Sequence, residues 1–151
     1  MLRSIWTIEQ PIDDFGKMSK PLIKKYSREL KNLLLNLQVY LDALNAGAKP
    51  VHIQRGFIHQ EPHGVLAIDQ RGEGKGLKEF RLYIYTDTDQ QKLYLLAVGD
   101  KKTQKSDITL CTQWVLGFRE QTKNLRATTG HDDNSEEGKE ARNEQGEKDG
   151  V

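Results

Sequence analysis

One amphipathic helix pattern limits the fold of this chain more than any other feature. Apolar side chains recur at alternating spacings of three and four residues, which places them on one face of a helix. They are Ile23, Tyr26, Leu30, Leu33, Leu37, Tyr40 and Leu44. Ser19 is in position to cap the start, Pro21 falls in the first turn, and Gly47 is placed to end the helix. We predict that this face packs on a sheet of the same chain, with a break near Asn36 that makes a helical hairpin. A coiled-coil seam to a partner is the alternative.

The second half of the chain predicts a β-hairpin and a further helix. Apolar and polar side chains alternate over 80–85, and a polar connection leads to 93–98, which is apolar on both faces as in a central strand. Ser106 is then placed to cap a helix whose apolar face includes Cys111. Shorter strands are predicted at 5–8, 51–53 and 65–68. Together these elements predict one α+β domain over residues 1–126.

Charge divides the chain near residue 127. The whole chain has 23 basic and 22 acidic residues, of which 127–151 hold three and eight, so this segment carries a net charge of −5 and residues 1–126 carry +6. The segment has no aromatic side chain, which is typical of a disordered tail. No apolar run approaches the length of a membrane span, and the start of the chain is not typical of a secretory signal. We therefore expect a cytoplasmic protein that does not enter a membrane.

Few residues suggest metal or nucleophile chemistry. His52, His59 and His63 are close in sequence, but Pro62 interrupts any helix that would join the last two as the i, i+4 pair of a zinc site. Solvated loop histidines are the simpler interpretation. Cys111, the single cysteine, lies on an apolar helical face and is typical of a small core residue. The glycine-rich loop at 72–76 lacks the Lys-Ser/Thr that closes a phosphate-binding loop. We expect no metal and no other cofactor.

A polar strand face beside a group of lysines is the strongest candidate for a functional site. The side chains concerned are Arg81, Tyr83, Tyr85, Lys101, Lys102 and Lys105. Basic side chains at this density suit a phosphate backbone, and tyrosine rings offer surfaces on which unpaired bases stack. The alternative is that the lysines are merely solvated and the tyrosines cover a sheet face.

The residues in this region resemble the end of RelE/ParE-superfamily toxins, especially the HigB-like addiction module killer branch. That branch carries a strand G-[YF]-R-[VLI]-[YF], then an apolar strand running into G-D-K-[SK]-[ST]-Q-x-x-D-I and a helix. The chain has Phe80–Tyr83 for the first motif. For the second it has Gly99–Gln104 and, after two residues, Asp107 and Ile108.

The resemblance implies a fold, an activity and partners. The fold is a small twisted, mainly antiparallel sheet with an N-terminal helix or helical hairpin packed on it and a short C-terminal helix. The activity is that of a type II toxin, a ribosome-dependent endoribonuclease that cleaves mRNA without a metal and is held inactive by a cognate antitoxin, with a heterotetramer as one form of that complex. The alternatives are a ParE-like inhibitor of DNA gyrase and a non-catalytic member that binds RNA or protein.

The resemblance also assigns roles to residues. Arg81 matches the strand arginine and would neutralise the scissile phosphate, Lys101 would be a second phosphate contact, and Tyr83 would stack on a base or transfer a proton. The residues that would bind RNA around them are Lys78, Tyr85, Lys102 and Lys105. Several toxins place a catalytic His or Tyr near the end of the domain, and residues 107–126 contain neither.

Overall fold

The computed structural model describes residues 5–70 and 76–130. Two helices, α1 and α2, follow a first strand, β1, and a third helix, α3, follows the last strand, β5. The elements are β1 (Thr7–Glu9), α1 (Phe15–Lys25), α2 (Ser27–Asn45), β2 (Ile58–Gln60), β3 (Leu66–Asp69), β4 (Phe80–Asp87), β5 (Lys92–Asp100) and α3 (Gln104–Gly130). Short 3-10 turns lie at Pro50–His52 and Pro62–Gly64.

The strands form one open sheet in the order β1-β5-β4-β3-β2. The β1–β5 pair is parallel, and the β2–β3, β3–β4 and β4–β5 pairs are antiparallel. The predicted α+β class with a mainly antiparallel sheet is therefore confirmed. Internal contacts divide the chain into two units, 1–115 and 116–151; the first holds the sheet, α1, α2 and the start of α3.

The apolar face of α2 and one face of β4 share a single core. Leu33 and Leu37 are buried in the same cluster as Phe80, Leu82 and Ile84, which confirms the predicted packing. The strand period of two sends these three β4 residues to one side of the sheet. Burial of these faces is the main force that holds the helices on the sheet.

The break between the first two helices lies at Tyr26, so the predicted break near Asn36 is wrong. Tyr26 has φ −124° and ψ 50°, outside the helical range. Asn36 lies inside α2, which is continuous over Ser27–Asn45, and its side-chain amide donates a 2.8 Å hydrogen bond to the Asp69 carbonyl oxygen that ties the helix to β3. The break shifts the helical phase of α1 relative to that of α2. In α1, Leu22 is therefore buried, and Ile23, predicted to lie on the apolar face, is 63% exposed.

The predicted start of the first helix is also wrong. α1 begins at Phe15, and the Ser19 hydroxyl donates to the Gly16 carbonyl inside the helix instead of capping it. Pro21 therefore lies in the helix interior, where it lacks the N–H that would bond to the preceding turn.

Gly47 ends α2 as predicted. It has φ +100°, a left-handed conformation that glycine adopts without a steric cost. Its N–H donates to the Leu44 carbonyl, and the Ala48 N–H donates to the Ala43 carbonyl, each at 3.0 Å. These two bonds form a Schellman motif, which satisfies the last carbonyl groups of the helix.

The strand predicted at 51–53 is a 3-10 turn instead. Pro50 has no N–H to give to a ladder, and the His52 N–H donates back to the Lys49 carbonyl at 2.9 Å. The strand forms later, as β2, which pairs with β3.

The opposite face of the sheet packs against the start of α3. The Trp114 ring centroid lies 4.9 Å from that of Tyr94 and 6.2 Å from that of Tyr85. Cys111 is fully buried, as predicted, and burial raises the pKa of its thiol to about 12. β5 has a bulge at Leu96, because Tyr83 pairs with Ala97 while Ile84 pairs with Leu95.

The helix α3 begins two residues before Ser106 and continues beyond residue 126 to Gly130. The rest of the predicted acidic tail, 131–151, lies outside the described residues, as does most of the glycine-rich loop. No helix in the described part of the chain is both long enough and apolar enough to cross a membrane.

Candidate functional site

Arg81 lies in a cluster of charged side chains on the α3-facing side of the sheet. The β3–β4 register places it opposite Asp69, on the same face of the sheet. Its Nε lies 3.9 Å from Asp69 Oδ1, and its Nη1 lies 3.7 Å from Glu61 Oε2. Both distances exceed that of a direct N–H···O hydrogen bond, and a third of the arginine side chain is exposed. The guanidinium is therefore held in place by two carboxylates and reaches solvent.

His59 joins this cluster from β2. In that strand it pairs with Ala67, two residues before Asp69, so both side chains point to the same face. The His59 Nε2 lies 2.6 Å from Asp69 Oδ2, and 31% of the histidine side chain is exposed. The interpretation of His59 as a solvated loop histidine is thus wrong, because it is a strand residue with a carboxylate partner.

Glu61 is placed by the turn between β2 and β3. Its N–H donates to the Val65 carbonyl at 2.9 Å, which closes the turn. His63 and Gly64 both have positive φ there, 62° and 84°, and this tight reversal returns the chain at once into β3. The Glu61 side chain is only 14% exposed, so its carboxylate is fixed beside Arg81.

Tyr83 forms the buried floor next to this cluster. It is 1% exposed, and burial raises the pKa of its hydroxyl, with Asp107 and Glu61 adding to the effect and Arg81 opposing it. A ring buried to this degree offers no face on which a base stacks. Tyr83 therefore supports the neighbouring charged groups rather than contacting RNA directly.

Tyr85, predicted to bind RNA, is only half-buried. Its ring meets Trp114 in an edge-to-face arrangement, with an interplanar angle of 68°. Aromatic pairs of this kind stabilise packing. The tyrosines of this strand therefore cover a sheet face, as the alternative interpretation expected.

The predicted lysines lie at the same end of the sheet as Arg81, which pairs with Gly99 near the end of β5. Lys101 and Lys102 are exposed in the turn after β5, and Lys105 is exposed in the first turn of α3. Lys78 precedes β4, and its Nζ lies 3.0 Å from Asp100 Oδ2. That hydrogen bond raises the pKa of Lys78 and lowers the pKa of Asp100. The predicted site therefore consists of the Arg81 cluster and, just beyond the end of β5, the turn that presents Lys101, Lys102 and Lys105, which we call the basic turn.

Four residues of the second toxin-like motif, Gly99, Asp100, Thr103 and Asp107, build this basic turn. The Asp100 Oδ1 accepts hydrogen bonds from the N–H groups of Lys102, at 2.9 Å, and Thr103, at 3.3 Å. The Thr103 hydroxyl donates to Asp107 Oδ2 at 2.7 Å. Gly99 lies beneath that pair, and a Cβ atom there would collide with both Asp107 Oδ2 and Thr103 Oγ1. The glycine, the two aspartates and the threonine of the motif therefore stabilise the turn, and the lysines of the motif are exposed to solvent.

Of the four charged side chains in this cluster, only Arg81 was predicted from the sequence as a site residue. Glu61 directly follows β2 in an extended conformation, two residues after His59, so the alternation of an extended chain places both side chains on one face. This spacing was the available sequence signal. Asp69 belongs to β3, and its position beside Arg81 depends on the register of the β3–β4 pair.

In the part of the chain that the structure describes, no three His, Cys, Asp or Glu side chains are arranged to hold a metal ion. Comparisons with protein-family models, with curated proteins and with solved structures found no match.

Proposed function

We propose that the chain is the toxin component of a type II toxin–antitoxin system, an endoribonuclease that cleaves mRNA on the ribosome without a metal. The observation that supports this proposal is that Asp69 lies beside both His59 and Arg81, while Glu61 lies beside the same guanidinium. An imidazole, a carboxylate and a guanidinium within reach of one another are the groups that such cleavage requires. Arg81 is also the residue that matches the toxin strand motif.

In the proposed reaction the 2′-oxygen of a nucleotide attacks the adjacent phosphorus, and the bond from phosphorus to the 5′-oxygen breaks. The Glu61 carboxylate takes the proton of the 2′-hydroxyl, and protonated His59 gives a proton to the departing 5′-oxygen. Arg81 binds the non-bridging oxygens, where negative charge increases in the transition state. The products are a 2′,3′-cyclic phosphate and a 5′-hydroxyl end.

Asp69 is a positioning residue in this scheme. Its Oδ2 accepts a hydrogen bond from His59 Nε2, so Nδ1 is the ring nitrogen that transfers the proton. Its Oδ1 faces the Arg81 guanidinium, so one carboxylate orients both groups.

The exposed lysines of the basic turn supply attraction for RNA and the ribosome rather than chemistry. Lysines that contact phosphates raise affinity in a salt-dependent way without regard to sequence. In this proposal Lys101, Lys102 and Lys105 hold the strand, and a cognate antitoxin covers the site in the cytoplasm.

The proposal is tested by inducing the chain in cells and mapping RNA 5′ ends. The variants His59→Ala, Glu61→Gln and Arg81→Ala should each abolish most cleavage, because loss of one transition-state contact lowers a rate by about 10²–10³. The matched controls are His52→Ala and Glu79→Gln, both at exposed positions, and should cleave as the unaltered chain does. Lys101→Ala should weaken RNA affinity and leave the rate at saturation unchanged.

A second candidate, a non-catalytic member that binds RNA, is favoured by the two carboxylates that offset the charge of Arg81. Intact mRNA after induction, with RNA still bound, would establish that candidate and reject cleavage. Growth arrest with whole mRNA and DNA double-strand breaks would instead indicate the gyrase alternative, which an SOS reporter detects.

A further inference from the structure

A pocket of about 390 Å³ lies between α1 and the end of the β4–β5 hairpin. Its volume is within the range of pockets that hold small ligands. The floor includes Leu22, Phe80 and Val98, which belong to the apolar core. Phe80 and Arg81 are successive strand residues, so their side chains point to opposite faces of the sheet. The pocket is therefore distinct from the Arg81 cluster.

One side of this pocket is basic and aromatic. Lys17, Lys25 and Lys78 all line it. The Lys78 Nζ lies 5.4 Å from the Tyr26 ring centroid and 5.7 Å from that of Phe80, and these two rings are 5.0 Å apart. The ion pair with Asp100 and the two rings hold this ammonium group beside an aromatic surface.

The lining of the pocket also offers hydrogen-bond acceptors. Asp107 lines it and is 7% exposed, with Thr103 as its hydrogen-bond donor. A second carboxylate, that of Asp100, lies beside Lys78. A ligand that fills the pocket must therefore combine an anionic group, a flat apolar ring and hydrogen-bond donors. Inorganic phosphate alone would leave the apolar floor empty, and an uncharged ring alone would leave the lysines unused.

We propose that this pocket binds a nucleoside phosphate. The phosphate lies among Lys17, Lys25 and Lys78, the base packs on the apolar floor beside Tyr26, and a ribose hydroxyl or a base amino group donates to Asp107. A free nucleotide and one nucleotide of an RNA strand share this chemistry. The assignment does not depend on cleavage at His59, because none of the groups in that cluster lines the pocket.

The test is a two-dimensional NMR titration of the full chain with the four nucleoside 5′-monophosphates, inorganic phosphate, adenosine and a five-nucleotide RNA. A mononucleotide or the RNA should shift the amide signals of Gly99, Thr103 and Tyr26. Shifts with the free mononucleotides would identify a free nucleotide as the ligand. Shifts with the RNA alone would identify a nucleotide of an RNA strand as the ligand, and either result supports the site. Absence of shifts at these residues with every probe would overturn it. Equal affinity for inorganic phosphate, or for adenosine, would overturn the nucleoside phosphate assignment.

The charge-reversal variant Lys17→Glu/Lys25→Glu should weaken nucleotide binding by about tenfold or more, because it removes two contacts to a charged group. The control Lys20→Glu/Lys24→Glu changes the same charge on exposed positions of the same helix that do not line the pocket, and should change affinity by less than about twofold. Equal losses in both variants would show general attraction to the basic domain and reject the site. The amide signals of Leu22 and Tyr26 report on this pocket and not on the residues of the cleavage proposal, so a failure of that proposal is seen separately.

Discussion

Gly99 shows how a single residue fixes the basic turn. The Asp107 carboxylate and the Thr103 hydroxyl occupy the space that a side chain at this position would need. Gly99→Ala should therefore lower the free energy of unfolding by about 1–3 kcal/mol, the usual cost of overpacking. The measurement is urea denaturation followed by circular dichroism.

A glycine in the same domain provides the control for that substitution. Gly16 lies inside α1, and a Cβ there meets no atom within 4 Å. Gly16→Ala should raise stability by about 0.5–1 kcal/mol, since alanine loses less conformational entropy in a helix. A Gly99→Ala variant as stable as the unaltered chain would contradict the close packing of the turn.

Asp107 gives the domain a distinctive dependence on pH. Burial raises the pKa of its carboxyl, the hydrogen bond from Thr103 opposes that shift, and Asp100 adds to it. A raised pKa means that the folded chain holds the proton more tightly than the unfolded chain. The contribution of Asp107 to stability is thus greatest below its unfolded pKa and is lost as the pH rises through its folded pKa.

The variant Asp107→Asn should remove this loss while keeping an acceptor for Thr103. The free energy of unfolding of this variant should therefore increase relative to that of the unaltered chain as the pH rises from about 3 to 7. Asp100→Asn is the opposite control, because Lys78 lowers the pKa of Asp100 and that carboxyl contributes stability that is lost as the pH falls. Parallel curves for Asp107→Asn and the unaltered chain, measured by urea denaturation at each pH, would refute the argument.

At the scale of whole elements, α2 is held to the sheet by its buried apolar face. Leu33 is 1% exposed within the shared core, so Leu33→Ala should cost about 2–5 kcal/mol in the free energy of unfolding. Leu35, two positions along the same helix, is 55% exposed, and Leu35→Ala should cost less than about 0.5 kcal/mol. Equal effects in chemical denaturation would show that the packing of α2 is not as described.

Local patterns predicted the elements, and tertiary contacts decided their details. Alternation over β4 and β5 and the glycine at the end of α2 are local signals, and each was confirmed. The helix break was misplaced because Asn36, a residue type common in turns, lies inside α2 with its side chain bonded to β3, a contact that no local pattern shows.

The candidate site was only partly predictable for the same reason. Arg81 belongs to a recognisable strand motif, but its partners come from other strands, and their meeting depends on two strand registers. The two-residue spacing of His59 and Glu61 in an extended segment was the one local signal. Tyr83 was misjudged because an alternating strand looks the same whether its polar face meets solvent or a helix.

At the scale of the whole molecule, the charges of the two parts of the chain are opposite. Residues 131–151 carry the same net −5 as the longer predicted tail, against +6 over residues 1–126. Charges of opposite sign attract over about 10 Å at moderate ionic strength, so we expect the acidic segment to compete weakly with RNA for the basic turn.

Deleting residues 131–151 should therefore raise affinity for a short RNA at about 50 mM salt, and the gain should shrink at about 200 mM salt because salt screens both interactions.

A chain of unchanged length, with the eight acids of this segment replaced by Gln or Asn, is the control. If charge is the cause, this chain should behave as the deletion does. Fluorescence anisotropy at the two salt concentrations measures both. Equal affinity of all three chains at low salt would show that the segment is inert in RNA binding, and a gain in the deletion alone would assign the effect to the length of the segment.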